Sequence, residues 1–461
     1  MICPNAAGID IGANEHYVAV PSDRTEEPVR RFGTFTSDLK AIGEWLLKCG
    51  VETVAMESTG VYWIPIYQML EEYGFEVKLV NARHVKNVPG RKTDVQDCQW
   101  LQQLHSYGLL TGSFRPEGEI CVLRSYLRQR QMLVSYGSRH IQHMQKALNE
   151  MNLHLHHVIS DITGVTGMTI IRAIVSGERD CLKLAAMRNR RIKSDLETIA
   201  KALEGDYREE LLFNLRQSLE LYDYYRLKIV ECDQKILAHM QMLPDSEMLK
   251  KERANSSSQD TALIARSNEK LRKKRSNKRK VNGNRPTFDC ASELHRIMGV
   301  DLTRIDGIDE STAQLILAET GLNIKEKWST EGHFASWLGL CPDNEITGGK
   351  VRRRSTRKVV SRVSNALRMC AQSLFVSDSA LGAFARRIRA RRGAQIAITA
   401  AAHKLARLVY RMLTLGQEYV DAGQAQYEER YKMNLLNNLA RKAKQFGYEL
   451  TRKEEPATVV P

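Results

Sequence analysis

Short apolar runs and amphipathic segments alternate along the first 110 residues of the chain. The runs AGIDIGA, HYVAVPS and RRFGTF predict three strands, and the helical spacing of apolar residues from Leu39 to Cys49 predicts a helix. The pattern then continues with a strand at TVAMES, a helix near Ile64 to Tyr73, a strand at EVKLVN and a helix that begins near Asp94. These residues therefore predict an α/β domain.

Two long helices are predicted to follow this domain. From about Glu117 to His157 the pattern is that of one amphipathic helix with a basic face. From about Tyr207 to Leu243 the apolar residues recur at spacings of three and four, and Arg226 and Asp233 interrupt the seam. The two helices could pair within one chain or form a coiled coil between subunits, and the sequence leaves both arrangements open.

The helical periodicity breaks between residues 244 and 289. The run KLRKKRSNKRK (270–280) contains only basic and neutral residues, so it is either a solvated linker or an arm that binds nucleic acid. Residues 290–420 are predicted to be mostly helical, with a Gly/Pro-rich interruption at LGLCPDNEITGGK. We therefore expect five segments with these bounds: 1–115 (α/β), 116–243 (helical or coiled coil), 244–289 (basic linker or arm), 290–425 (mostly helical) and 426–461 (tail).

Charge and composition narrow the range of partners. The chain of 461 residues has a formal net charge of +15, and clustered Lys and Arg bind polyanions by releasing counterions from phosphates, so nucleic acid is the expected partner. No stretch approaches the roughly 18 consecutive apolar residues that span a bilayer, so we expect no membrane partner. Nine cysteines without a C-x-x-C pair argue against a structural zinc site or a disulfide framework and suit a reducing, cytoplasmic compartment.

Four carboxylates stand at positions that the predicted topology brings together. The order of elements is that of an RNase H fold, in which the strands ending in Asp10 and Glu57 are neighbours and the helix with Asp94 and Asp97 packs across their ends. Singly, Asp10 suits a strand-end turn, Glu57 a cap, and the other two a helix N-terminus, where the dipole favours acids. Jointly they predict a site for Mg²⁺, with two ions roughly 4 Å apart stabilising both oxygens of a phosphodiester exchange.

Three of these stretches also carry a family resemblance. GIDIG, AMESTGVYW and KTDVQDCQWL resemble the DEDD motif of the insertion-sequence 110/1111 family of transposases, and FASWLGLCPDNEITGGKV (334–351) is similar to part of that family's C-terminal domain. The resemblance implies a RuvC-like catalytic domain at 1–115, an intervening coiled coil and a transposase domain at 290–425. It further implies a bacterial DNA recombinase, nucleoid-associated when acting, that works as a dimer or dimer of dimers. A noncoding bridge RNA would guide it to donor and target DNA.

The nucleophile position departs from the family pattern. The resemblance implies a serine before a glycine, and Thr347 occupies that position here. Thr347 could be the nucleophile, Ser355 or Thr356 could supply the hydroxyl instead, or this copy could cleave poorly or not at all. Two other functions stay open: a metal-dependent, junction-resolving nuclease in which water attacks, and a nucleic-acid-binding regulator derived from a transposase.

Basic residues in three places are expected to hold the RNA and DNA backbones. They lie on the first long helix, in the basic arm and after Thr347. The predicted contacts are Arg124, Arg128, Lys273, Lys274, Arg275, Lys278, Arg279, Lys280, Lys350, Arg352, Arg353 and Arg354.

Overall fold

In the structure, a computed structural model, the chain forms two compact units, Met1–Arg115 and Pro116–Pro461. The structure describes residues 2–58, 60–80, 94–110, 112–116, 118–250, 284–353, 355–357, 359, 361–416 and 419–451. Within these ranges no helix is both long and apolar enough to cross a membrane.

The first unit is built on a five-stranded sheet. The strands are β1 (Ala6–Ile11), β2 (Glu15–Ala19), β3 (Val29–Gly33), β4 (Thr53–Glu57) and β5 (Glu76–Val80). Its described helices are α1 (Thr36–Lys48), α2 (Trp63–Glu72) and α3 (Asp94–Ser106). The strand order is β3-β2-β1-β4-β5, in which β2 is antiparallel to β1 and β3, whereas β4 is parallel to β1 and β5. This arrangement confirms the RNase H-like fold predicted from the sequence.

The two faces of this sheet are covered differently. On one face the apolar strand residues Ile9 and Met56 are fully buried and pack with Ile42 and Leu46 of α1. On the other face α3 lies directly on β1, because Gly8 has no side chain: a Cβ there would be 2.3 Å from the backbone nitrogen of Gln102. This close approach fixes the position of α3 over the sheet.

The second unit begins with two long helices that pack against each other within the chain. Its first six helices are α4 (Glu119–Glu150), α5 (Leu155–Val158), α6 (Val165–Val175), α7 (Cys181–Ala186), α8 (Leu196–Ala202) and α9 (Glu209–Met242). The apolar seams of α4 and α9 thus face one another, and the smaller helices share a buried core with them that includes Leu148, Ile171 and Leu215.

The predicted extent of the first long helix was wrong at its C-terminal end. The helix ends at Glu150 instead of continuing to His157. Asn152 has a φ of 58°, which is left-handed and cannot continue an α-helix. The chain turns there, and Leu153 and Leu155 enter the core as part of a separate segment.

The remainder of the second unit is mostly helical, as predicted. Its helices are α10 (Cys290–Met298), α11 (Glu310–Thr320), α12 (Ile324–Lys327), α13 (Glu331–Trp337), α14 (Arg362–Ser373), α15 (Ala380–Arg392), α16 (Ala394–Leu415) and α17 (Gln424–Gln445), with 3-10 turns at Leu302–Arg304 and Leu374–Val376. The Gly/Pro-rich interruption contains an antiparallel hairpin that the sequence analysis did not predict, formed by β6 (Glu345–Thr347) and β7 (Lys350–Arg353). Gly348 and Gly349, at its turn, both have positive φ, as tight hairpin turns require.

Candidate metal centre and nucleophile position

The sheet register places two of the predicted carboxylates side by side. Ile9 of β1 is the partner of Met56 of β4, so Asp10 and Glu57 follow as the next residues along two adjacent parallel strands. Because side chains alternate along a strand, both point away from the core that buries Ile9 and Met56 and toward the face covered by α3. Both side chains are partly buried.

Helix α3 brings the other two carboxylates to the same place. The backbone of Cys98 and Gln102 rests on Gly8, and Gln102 Nε2 donates a hydrogen bond to the Ala6 carbonyl oxygen at 3.2 Å. Asp94 and Asp97 lie in the first turn of the helix, near enough to Asp10 for their charges to act on it. The helix dipole favours acidic residues in that turn.

The pKa of Asp10 reflects the nearness of the other three carboxylates. Burial raises the pKa of Asp10, and the negative charges of Asp94, Asp97 and Glu57 raise it further, to about 6 from an ordinary value of 3.8. Three neighbouring carboxylates therefore act on one carboxyl group, and the metal site that the motif predicts stays a prediction.

The carboxylates are close enough to perturb each other, but they are not gathered at coordination distances. Within the described residues no group of three or more His, Cys, Asp or Glu side chains stands in a geometry that could hold an ion. The nearby thiol does not extend the donor set, because burial and then the charge of Asp10 raise the pKa of Cys98 to about 12, and its Sγ donates to the Val95 carbonyl oxygen. The available donors are thus carboxylate oxygens, the ligands that Mg²⁺ prefers.

Two residues that the sequence analysis missed lie in the same row across the sheet. Asp10 is opposite Tyr17 of β2, and Tyr17 is opposite Arg31 of β3, so all three point to the α3 face. Tyr17 donates a hydrogen bond to Glu15 Oε1 at 3.1 Å, and Arg31 forms an ion pair with Glu15 at 3.2 Å. The position of Tyr17 could have been predicted from the register of the β1–β2 hairpin. The position of Arg31 also depends on the register between β2 and β3, which a longer loop connects.

The candidate nucleophile lies in the second unit, at the tip of the β6–β7 hairpin. Thr347 is exposed and precedes Gly348 and Gly349. A Cβ added to either glycine would have no heavy atom within 4 Å beyond its chain neighbours. Ser355 lies at the base of the hairpin, where its Oγ donates to the Asp343 carbonyl oxygen at 3.0 Å. Thr356 forms a bridge with Pro342 beside it. Of these three hydroxyl residues, Thr347 is the one placed on the exposed tip.

The predicted nucleic-acid contacts have different surroundings. Arg128 donates to both carboxylate oxygens of Glu319, and Arg124 lies 3.8 Å from the same carboxylate, so both guanidinium groups already have an acidic partner and their nucleic-acid role stays a prediction. Lys350, Arg352 and Arg353 lie on the exposed strand β7. The remaining predicted contacts lie outside the described residues: Lys273, Lys274, Arg275, Lys278, Arg279, Lys280 and Arg354.

Comparison with known protein families agrees with this layout. A model of the DEDD transposases of IS110 elements, described as "Transposase", matches residues 7–153. A second model, described as "Transposase IS116/IS110/IS902 family", matches residues 301–386. No curated protein matches the chain in a sequence search. Two models of one family, matched in order over about half of the chain, show that this chain belongs to the IS110 family of transposases, enzymes that cut and rejoin DNA.

Proposed function

We propose that this transposase cleaves and rejoins DNA with Mg²⁺ held by Asp10, Glu57, Asp94 and Asp97. The observation that carries the proposal is the packing of α3 on Gly8 beside the paired ends of β1 and β4, which brings the four carboxylates near one another, and the raised pKa of Asp10 agrees with it. Like charges so close to one another are unfavourable unless a cation or a proton neutralises them. A DEDD family in general implies a divalent metal, and a donor set of carboxylate oxygens alone favours Mg²⁺ over softer metals.

Each part of this site has a separate task. Bound there, divalent cations would stabilise the negative charge that develops on the phosphate oxygens during strand cleavage. Asp10 and Glu57 supply rigid ligands, because they project from adjacent strands whose neighbouring residues are fully buried. Asp94 and Asp97 supply ligands from α3, which Gly8 allows to lie against the sheet.

We propose the Thr347 hydroxyl as the nucleophile of strand cleavage. Its oxygen would attack the phosphorus of the scissile phosphodiester, the new oxygen–phosphorus bond would replace the bond to the departing sugar oxygen, and the hydroxyl proton would pass to solvent. The departing oxygen would take up a proton and later reverse the exchange. The exposure of Thr347 supports this role, as does the engagement of Ser355 in the base of the hairpin.

We further propose that a bridge RNA selects the donor and target DNA. Base pairing can supply sequence specificity while the protein holds the backbones, as in other RNA-guided systems. The formal net charge of +15 supports a protein that holds more than one nucleic acid, and a dimer or dimer of dimers would present two or more such sites. Sequencing the RNA that co-purifies with the protein tests this: a discrete noncoding RNA encoded beside the gene supports it, and only random cellular RNA contradicts it.

The metal site is tested with Asp10→Ala and Asp97→Ala in the full-length protein. Each variant should lose Mn²⁺ binding, measured by isothermal titration, and DNA strand cleavage in Mg²⁺, while still binding DNA in EDTA. Asp23→Ala removes an exposed carboxylate from the same unit and should change neither measurement. Full cleavage by Asp10→Ala would exclude the metal assignment.

A further inference from the structure

A cluster of positive charges lies in the second unit where α15, α16 and α17 meet. The guanidinium carbon of Arg387 on α15 lies 3.9 Å from the ring centre of Tyr431 and 5.2 Å from that of Tyr427, both on α17. The ammonium nitrogen of Lys404 on α16 lies 5.8 Å from the same Tyr427 ring and 4.5 Å from the ring of Phe384. Tyr427 therefore stands between two cations.

The two cations have aromatic neighbours, but they form no ion pair with the described residues. Other arginines of α16 are different, because Arg407 and Arg411 share the carboxylate of Glu331. Burial lowers the pKa of Lys404, and the positive charges of Arg387 and Arg407 lower it further. Partial burial of a cation beside other cations is unfavourable, and an incoming anion would relieve it.

The aromatic rings hold the two cations in position before an anion binds. A ring face attracts a guanidinium or ammonium group electrostatically and restricts its motion, without cancelling its charge. A ligand that meets an already ordered cation loses less conformational entropy on binding than one that must order a free side chain. The cluster thus combines uncompensated charge with fixed positions.

Further arginines follow Arg387 along α15. Arg391 lies four residues after Arg387 on the same face of the helix, and Arg389 and Arg392 also belong to its last turn. Arg391 is exposed and forms no ion pair within the described part of the chain. A row of cations suits an anion with repeated charges better than a single small one.

We propose that Arg387 and Lys404, continued by Arg391, form a binding site for the phosphodiester backbone of a nucleic acid. The guanidinium and ammonium groups suit phosphate oxygens, and successive phosphates would follow the row along α15. The inference relies on nucleic acid being this transposase's substrate but not on the metal site, so it stands independently of the acidic residues of the first unit. DNA and RNA carry the same backbone phosphates, and the test separates the two.

The test measures how salt weakens binding. Full-length protein with both Arg387→Gln and Lys404→Gln is titrated, in EDTA, against a labelled random-sequence duplex DNA and against a labelled single-stranded RNA, over a range of NaCl concentrations. Each lost phosphate contact reduces the slope of log affinity against log salt by roughly 1, so the double variant should show a slope shallower by about 2 for one of the two probes. The probe that responds identifies the ligand.

Two further variants separate charge from folding. Arg411→Gln removes one positive charge from α16 at a position already paired with Glu331, so its slope should match the parent's. Tyr431→Leu removes a ring that orders Arg387 but keeps both cations, so the affinity should fall while the slope stays close to the parent's. An unchanged slope in the double variant for both probes would overturn the proposal. So would an equal loss of slope in Tyr431→Leu, because the cations would then serve only to dock the C-terminal helix.

Discussion

Arg130 and Asp233 form a buried ion pair between the two long helices, with Arg130 Nε 2.5 Å from Asp233 Oδ1. The carboxylate side chain is 0 % exposed and the guanidinium 8 %. The pair also binds the segment that precedes α10. Arg130 donates to the Asn284 carbonyl oxygen, and Asp233 accepts from the Thr287 backbone nitrogen. Asp233, one of the two residues that interrupt the predicted apolar seam, therefore helps to link α4, α9 and the segment around Thr287.

Asp233→Ala should destabilise the second unit strongly. Removing one partner leaves the guanidinium of Arg130 buried without a carboxylate, which costs about 3–5 kcal/mol. The matched control is Asp223→Ala, which removes the partner of Arg172 from an exposed pair and should cost no more than about 1 kcal/mol. Urea unfolding followed by circular dichroism measures both, and midpoints that fall equally in the two variants would contradict the prediction.

Asp10→Asn should raise the stability of the metal-free protein at neutral pH. The pKa of Asp10 is raised to about 6 in the folded chain from 3.8, so the folded state binds more protons between these values, and stability falls as the pH rises through them. Asparagine removes this penalty. The melting temperature in EDTA should therefore exceed that of the parent at pH 7 and converge with it near pH 4. A variant of the exposed Asp23, Asp23→Asn, should show no such pH-dependent gain.

Gly8→Ala should weaken metal binding without changing any carboxylate. The added Cβ would lie 2.3 Å from the Gln102 nitrogen and 2.4 Å from the Cys98 carbonyl oxygen, and both atoms belong to the backbone of α3. The helix must then move, and the two aspartates of its first turn move with it. We expect a loss of Mn²⁺ affinity of about tenfold or more, as for other changes that misplace metal ligands. Gly112→Ala, where the nearest atom is 4.0 Å away, should bind as the parent does.

Substitutions of Thr347 should separate the covalent mechanism from hydrolysis by water. Threonine carries a methyl group on the carbon that bears its hydroxyl, which crowds in-line attack, so Thr347→Ser should keep or raise cleavage. Thr347→Ala should abolish the covalent protein–DNA adduct, seen on a denaturing gel with labelled donor DNA, guide RNA and Mg²⁺. Ser355→Ala is the control and should retain the adduct. If the alanine variant of Thr347 cleaves without an adduct, water is the nucleophile and the chain acts as a nuclease.

The first unit could be predicted well because its signals are local. Each strand is a short apolar run, and Asp10 and Glu57 end two of them, so topology alone brings the carboxylates to one edge. The side-chain geometry could not be predicted in the same way. The contact between Gly8 and Gln102 depends on the packing of a helix that lies almost a hundred residues away in the chain.

In the second unit, the surroundings of several residues could not be read from the sequence. Arg124 and Arg128 have the pattern of an exposed basic face, and nothing near them indicates that Glu319, 191 residues from Arg128, supplies their partner. The end of α4 depends on one left-handed residue, Asn152, which helical periodicity does not detect. Arg387 and Lys404 likewise lie among many basic residues, and only the packing of α15 against α16 and α17 distinguishes them.

The β6–β7 hairpin is exposed along both strands, and a Cβ at either turn glycine would have open space around it. Its base is closed by a hydrogen bond from the Asp343 nitrogen to the Ser355 carbonyl oxygen, and the exposed tip that carries Thr347 is held by the pairing of Thr347 with Lys350. A reactive hydroxyl gains effective molarity only when its attack geometry is held, and bound DNA would have to complete that geometry around an exposed tip. If Thr347 is the nucleophile, engagement of the hairpin by its substrate becomes the step that commits the enzyme to breaking a strand.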